Sequence, residues 1–386
     1  MAVELRDIVG QEHAVAQLQR ALAGERMPHA MLFAGPAGVG RRTTALALAR
    51  TLLCSGRGAE EGPALFGEEE LPKDGFIQAC GACDDCRMME AGAHPDFQFV
   101  YKELARFHED ASVRSRVMQD LGIGVIRQFL IDPANRAANR GRGKVFVVRE
   151  AELMSTAAQN ALLKTLEEPP PRVTILLLCE KPDELLPTTL SRCAMVRFGY
   201  LPREFVAGKL AEAGIERAEA DFWAAFTQGS VGRSLRLARE GMYEVKRDLL
   251  DRIAGLPAAG DADLGEHLVK TMDKLATAAV AAAKKADGAN LSKNLASRQA
   301  VGAILELLAS AFRDAMSVRT GADMPPINAD QAPAVEALAE RFRPEQIAGV
   351  LEALSEYERL LWRNVNPKTV WDNVVITCAS AAPLRT

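Results

Sequence analysis

An α/β domain built on a parallel sheet, followed by an all-helical region, is the fold this sequence predicts. Three observations predict it. Short, almost wholly apolar runs at Ala30–Ala34 (AMLFA), 144–149 (KVFVVR) and Val173–Cys179 (VTILLLC) alternate with helical patterns. Strands buried on both faces of a parallel sheet read as such continuous runs. Strand signals then stop after Pro202. Finally, Ala, Leu, Arg and Glu recur throughout while aromatics make up only 5%, a balance that favours helix.

The first strand ends at a glycine-rich turn. A helix over 43–54 follows, with Leu46, Ala49, Arg50 and Leu53 at helical spacing. Residues 55–79 are rich in Gly, Glu and Pro and read as an irregular insertion. A strand is expected over 96–101 (DFQFVY), a helix over 124–138 and the central strand over 144–149. The stretch 134–143 carries Arg136, Arg140 and Arg142, read either as a solvated loop or as a phosphate or partner contact. Ser155 can cap a helix over 155–167, and Pro169, Pro170 and Pro171 stop it. Val173–Cys179 and 194–198 complete the strands. Residues 202–240 read as three short helices. From about Tyr243 the chain is helical, with breaks near 255–260, 287–290 and 321–332. Its apolar stretches 301–312 and 347–361 fit core and subunit interface equally well. No internal repeat is evident.

Composition narrows the classes. The 386 residues suggest two or three domains at about 150 residues each. With 48% hydrophobic and 25% charged residues, a disordered chain, a collagen-like fibre and a disulfide-dense mini-protein are excluded. A net charge of −4 gives no global field for nucleic acid or an acidic membrane, and leaves a local basic patch open. Any DNA contact should run through phosphates and weaken steeply with salt. Residues 1–10 carry Glu4, Arg6 and Asp7 and lack the apolar core of a signal peptide. No apolar run approaches the roughly 18 residues of a membrane span. A cytoplasmic protein with no membrane partner is the expectation.

Gly35-Pro36-Ala37-Gly38-Val39-Gly40-Arg41-Arg42-Thr43 follows a strand and opens a helix, the context a phosphate-binding P-loop requires. Gly35, Gly38 and Gly40 let backbone N–H groups turn toward phosphate oxygens at the positive end of the helix. Two side chains are missing. Arg41 stands where a Lys should reach the phosphates, and Arg42 where a Ser/Thr should hold Mg²⁺. After the central strand, Arg149 replaces the expected Asp, although Glu150 is kept. A unit charge about 4 Å from a dication costs at most roughly 8 kcal/mol at an effective dielectric near 20. The expectation is no Mg²⁺ and no hydrolysis here. Metal-free ATP binding stays open, because Arg is a good phosphate ligand.

Seven cysteines is an odd number, and Cys80, Cys83 and Cys86 have metal-ligand spacing. Cys54 is the expected fourth ligand, with His94 its rival. A four-cysteine Zn²⁺ site is closed and structural; reduced free thiols are the alternative. Cys179, Cys193 and Cys378 read as core cysteines. Leu190-Ser191-Arg192-Cys193 lies between two strands. A single Arg there is ordinarily a surface salt-bridge residue. At a domain edge it can instead neutralise charge on a neighbouring subunit's γ-phosphate, worth roughly 10³–10⁵ in rate.

Together these residues resemble the bacterial clamp-loader family of AAA+ proteins, and within it the delta-prime branch of DNA polymerase III. The resemblance rests on Asp7-Ile8-Val9-Gly10-Gln11, the loop at 30–43 and the cysteine cluster. It also rests on Asn160-Ala161-Leu162-Leu163-Lys164-Thr165-Leu166-Glu167-Glu168-Pro169-Pro170 and on Ser191-Arg192-Cys193. By motif it covers about residues 5–240; the remainder matches by helical character and length. It implies an AAA+ P-loop core with a zinc-binding insertion over 1–200, a helical lid over 201–242 and an all-α collar over 243–386. The implied role is a non-catalytic stator of a five-membered DNA replication ring, partnered by gamma/tau and delta subunits. It meets the sliding clamp and primer–template DNA through that complex. Arg192 would be the arginine finger offered in trans to a gamma/tau ATPase. The degenerate nucleotide site would comprise Gly35, Gly38, Gly40, Arg41, Arg42, Thr43, Glu150 and the sensor-2 residue Arg233. Cys179-Glu180 departs from the polar residues usual at sensor 1. The insertion between Cys54 and Cys80 is longer than is usual in the family. The alternatives are an active gamma/tau-type ATPase using Arg41 for Lys, and a scaffold outside replication.

Overall fold

The computed structural model describes residues 3–24, 27–56, 76–114, 120–257, 262–287, 293–362 and 366–380. Most of the insertion expected at 55–79, and parts of the breaks near 255–260 and 287–290, lie outside the described residues. The chain forms two compact units, Met1–Pro202 and Arg203–Thr386.

The first unit is built on five parallel strands, β1 (Ala30–Ala34), β2 (Phe97–Val100), β3 (Lys144–Val148), β4 (Val173–Cys179) and β5 (Ala194–Arg197). Their order across the sheet is β2-β3-β4-β1-β5. The register sets Leu32 beside Leu177, Phe33 beside Val196 and Phe146 beside Ile175. Every residue of β1 and β3 is buried, which is why these strands read as unbroken apolar runs. Parallel strands need crossovers. The helices of this unit are α1 (Glu12–Ala23), α2 (Arg41–Leu53), α3 (Asp84–Glu90), α4 (Ala111–Arg114), α5 (Ile123–Ile126), α6 (Asp132–Ala134), α7 (Thr156–Glu167) and α8 (Pro187–Leu190). Leu162 and Leu166 of α7 pack with Phe146, Ile175 and Leu177 in one core.

Two helix boundaries differ from expectation. Helix α2 begins at Arg41 rather than residue 43, because Gly40 is its N-cap in a left-handed conformation and Arg41 is already helical. The helix expected over 124–138 is α5, a π-helical turn Arg127–Ile131 and α6, ending at Ala134. Beyond it, Asp96 accepts hydrogen bonds from the Asn139 and Arg140 N–H groups, each at 2.7 Å, and holds the chain in a loop. Ser155 caps α7 as predicted, accepting from the Ala158 N–H at 3.2 Å.

The second unit is helical: α9 (Arg203–Glu212), α10 (Arg217–Phe226), α11 (Val231–Arg239), α12 (Met242–Ala254), α13 (Ala262–Asp287), α14 (Lys293–Thr320), α15 (Ala332–Arg341), α16 (Pro344–Trp362) and α17 (Pro367–Ser380). The first three are the short helices expected over 202–240. Phe222, Trp223, Phe226 and Tyr243 form an aromatic cluster. Against it lies Lys246, wholly buried, with Nζ 2.7 and 2.6 Å from the Asp330 carboxylate and 4.3 Å from the Phe222 ring. Tyr243 donates to the same carboxylate at 2.9 Å. Among the described residues, no helix is long and apolar enough to cross a membrane.

Removing one member of a buried ion pair strands the other charge. Lys246→Met should lower unfolding free energy by about 3–5 kcal/mol, and adding Asp330→Leu should recover most of it. All three tryptophans, Trp223, Trp362 and Trp371, lie in this unit, so urea unfolding followed by tryptophan fluorescence reads it selectively.

Candidate functional site

The carboxyl ends of β1, β3 and β4 share one edge of the sheet, the edge where open α/β sheets place ligands. After β1 the Gly35 N–H donates to the Cys179 carbonyl at 3.2 Å. A Cβ at Gly35 would stand 2.4 Å from the Phe198 carbonyl oxygen, so only glycine fits this close approach. Gly38 and Gly40 have φ of 70° and 101°, the left-handed region that favours glycine. The turn therefore has the backbone shape of a phosphate loop.

Its side chains point to other work. Arg41 is 8% exposed, and its Nη2 lies 3.0 Å from Glu180 Oε1, just beyond β4. Its charge is neutralised within the protein. The Arg42 guanidinium lies over the Phe99 ring, 4.8 Å from the centroid. Thr43 is exposed, and the Thr44 hydroxyl donates to the Gly40 carbonyl at 3.0 Å.

At the end of β3, Glu150 takes a left-handed φ of 53°, which is uncommon without a glycine. Its Oε2 lies 3.4 Å from Arg149 Nη2 and 3.6 Å from Lys102 Nζ. Glu150 is thus held between two cations. Arg233 lies in the second unit, paired with Glu306 and over the Phe226 ring. The pairing of Lys102 with Glu150 and of Glu180 with Arg41 is not legible in the sequence, since each lies far along the chain from the residue it meets.

The Ser191-Arg192-Cys193 element follows α8. Buried Gln159 of α7 accepts from the Leu186 N–H at 2.8 Å and the Thr189 hydroxyl at 3.2 Å, and donates to the Met154 carbonyl at 3.1 Å. Arg192 Nε donates to Glu167 Oε1 at 2.8 Å, and Nη1 to the Thr188 carbonyl at 2.9 Å.

Away from this edge, the Sγ atoms of Cys54, Cys80, Cys83 and Cys86 all lie within 4.8 Å of one another. Two of the separations are 3.4 and 3.7 Å. A tetrahedron with Zn–S bonds of about 2.3 Å has edges near that length. N–H groups of Cys80, Cys83 and Cys86 donate to the sulfurs of Cys54, Cys80 and Cys83 at 3.3–3.4 Å. A Cβ at Gly56 would meet Cys80 Sγ at 2.7 Å, so the cradle closes tightly. Burial acts to raise the Cys83 thiol, but hydrogen bonds from Ser55 and from the Cys86 and Gly56 N–H groups outweigh it and bring it to about 5. Burial pushes Cys54 up to about 12. Donor chemistry and spacing fit a metal ion. His94 stands outside the cluster: Nδ1 accepts from the Asp96 N–H at 3.1 Å, and Nε2 faces buried Asp85 at 3.3 Å. Two of the three loop arginines serve this module. Arg140 Nε donates to Asp85 at 2.9 Å and Arg142 Nη2 to the Ser55 carbonyl at 3.0 Å.

Residues 10–202 match the family model described as DNA polymerase III, delta subunit, and residues 269–375 that of its C-terminal region. This chain belongs to the DNA polymerase III delta-subunit family of clamp-loader proteins. Among its clamp-loader relatives, subunit delta′ of Pseudomonas aeruginosa is 33% identical over 60% of this chain and 64% of its own. Subunit delta′ of Yersinia pestis is 36% identical over 43% of this chain and 40% of its own. Subunit tau of Escherichia coli is 32% identical over 69% of this chain and 35% of its own. The chain thus spans about a third of the length of that tau relative. A gamma subunit-related protein of Thermotoga maritima aligns at a TM-score of 0.38 and 16% identity, over 96% of this chain and 99% of that one.

Asp96 gives the first unit of this clamp-loader chain an acid dependence. Burial acts to raise its carboxyl, but the Asn139 and Arg140 N–H groups and the Asn139 side chain outweigh it and hold the carboxyl below the usual range. The unfolded chain therefore takes up the proton first. The stability Asp96 contributes is complete above about pH 5, roughly a unit above the unfolded value, and is lost as pH falls toward the folded value. Asp96→Asn should cost about 1–3 kcal/mol at neutral pH and flatten the loss between about pH 5 and pH 3. Urea unfolding followed by circular dichroism at both pH values checks this.

Proposed function

We propose that this chain is a delta-prime-type, non-hydrolysing subunit of the DNA polymerase III clamp loader. It acts as a stator and supplies Arg192 in trans to a neighbouring gamma/tau ATPase. One observation carries the reading: the chain keeps a partly exposed SRC arginine while its own phosphate loop lacks the side chains for hydrolysis. Arg41, Arg42 and Arg149 occupy the positions of Lys, Ser/Thr and Asp, and Glu180 and Glu150 are committed to cations. Arg192 would neutralise charge building on the γ-phosphate, an electrostatic effect on the order of 10³–10⁵ in rate. In this reading residues 1–200 are the AAA+ core, 201–242 the lid and 243–386 the collar that binds gamma/tau and delta. The ring then closes the sliding clamp on primer–template DNA in the cytoplasm. Identity to tau chains favours a second reading, an active gamma/tau-type ATPase.

In a clamp loader reconstituted with gamma/tau and delta, Arg192→Ala should lower turnover about 10³-fold at the ATP site it serves. Unchanged clamp- and DNA-stimulated turnover would remove the trans-arginine role. The chain alone should not turn over Mg-ATP. Turnover that Arg41→Ala abolishes would establish the second reading instead.

Zn²⁺ fits the four cysteines and would be structural, holding the end of α2 to α3. Metal analysis should return about one zinc per chain. Cys80→Ala should lose it and lower the melting temperature, because metal-binding free energy is also folding free energy.

A further inference from the structure

We infer that Glu167 is the positioning residue of Arg192, and that helix α7 sets where the guanidinium stands. The inference rests on the trans-arginine reading above. Arg192 and Glu167 are 25 residues apart in sequence. Nε and Nη2 of Arg192 both point at Glu167 Oε1, and Nη1 reaches the Thr188 carbonyl at 2.9 Å and Ser191 Oγ at 3.3 Å. A guanidinium has five N–H donors, so these four contacts leave at least one for a ligand. The side chain is 32% exposed. Glu167 therefore holds the inner edge of the fork and does not occupy all of it.

A second contact makes the arrangement a ruler. Gln159, eight residues earlier on α7, pins the turn that opens α8 through the Leu186 N–H and the Thr189 hydroxyl. Eight helical residues span about 12 Å. One rigid helix thus anchors the SRC element at its start and its arginine at its end. Ser155 caps that helix and Pro169 and Pro170 follow it, so its length is set at both ends. An arginine already held in one rotamer loses less freedom on gripping a phosphate. The gain falls in the transition state, where γ-phosphate charge develops, so kcat and not KM should register it.

The test uses the reconstituted clamp loader with its clamp and primed DNA, reading ATP turnover. Glu167→Gln should lower kcat about tenfold at the site Arg192 serves, with KM for ATP within about twofold and an unchanged melting temperature of the free chain. Glu167→Gln/Arg192→Ala should be no slower than Arg192→Ala alone. Glu167→Asp, which keeps the charge, should recover part of the loss. A kcat for Glu167→Gln equal to or above wild type, with Arg192→Ala still impaired, overturns the positioning role and leaves the trans-arginine reading standing. So does a double variant slower than Arg192→Ala. An Arg192→Ala assembly with full turnover overturns both.

Discussion

Five parallel strands hydrogen-bonded in the order β2-β3-β4-β1-β5 bring the carboxyl ends of β1, β3 and β4 side by side. That adjacency is the constraint on which the rest of the first unit depends. Both faces of the sheet are covered, so side chains on its central strands have no water to turn to. The groups that leave the strand ends must find partners among the neighbouring loops. Arg41 after β1 meets Glu180 after β4, and Glu150 after β3 meets Lys102 after β2. Arg41 is nearly buried, where a charge is costly unless it is paired.

The shape of the phosphate loop and its chemistry have separate determinants here. Shape comes from the close approach of Gly35 to the Phe198 carbonyl and from the positive φ of Gly38 and Gly40. Chemistry depends on the side chains around it, and here Arg41 pairs with Glu180, Arg42 lies over Phe99 and Arg149 faces Glu150. The turn, and with it the packing of α2 on the sheet, therefore depends on the glycines and not on the side chains that follow them. The Arg41–Glu180 pair ties the loop after β1 to the loop after β4.

The cysteine module is attached to the same sheet by a second polar network. Asp85 of α3 meets His94 and Arg140, while Asp96 at the start of β2 accepts from Asn139 and Arg140. Two buried carboxylates thereby join α3, β2 and the loop before β3. Arg140 and Arg142, ambiguous as a charge cluster in sequence, belong to this internal stitching.

Much of the fold was legible because its signals are local. The apolar runs of β1 and β4 match the strands to the residue, and Ser155 and the prolines mark α7. The misplaced boundaries, at α2 and after Ala134, are those where a glycine conformation or a distant carboxylate decides. The site divides the same way. The spacing of Cys80, Cys83 and Cys86, the arginines Arg41, Arg42 and Arg149, and the SRC element are written in the chain. That Cys54 and not His94 completes the cluster is not, nor are the pairs of Arg41 with Glu180 and Arg192 with Glu167. Those partners lie 139 and 25 residues apart. Periodicity and spacing are properties of neighbouring residues, so the sequence alone determined the element types and which side chains flank the glycine-rich turn. Which charges meet depends on which strand ends the sheet sets side by side, and only the tertiary structure decided that.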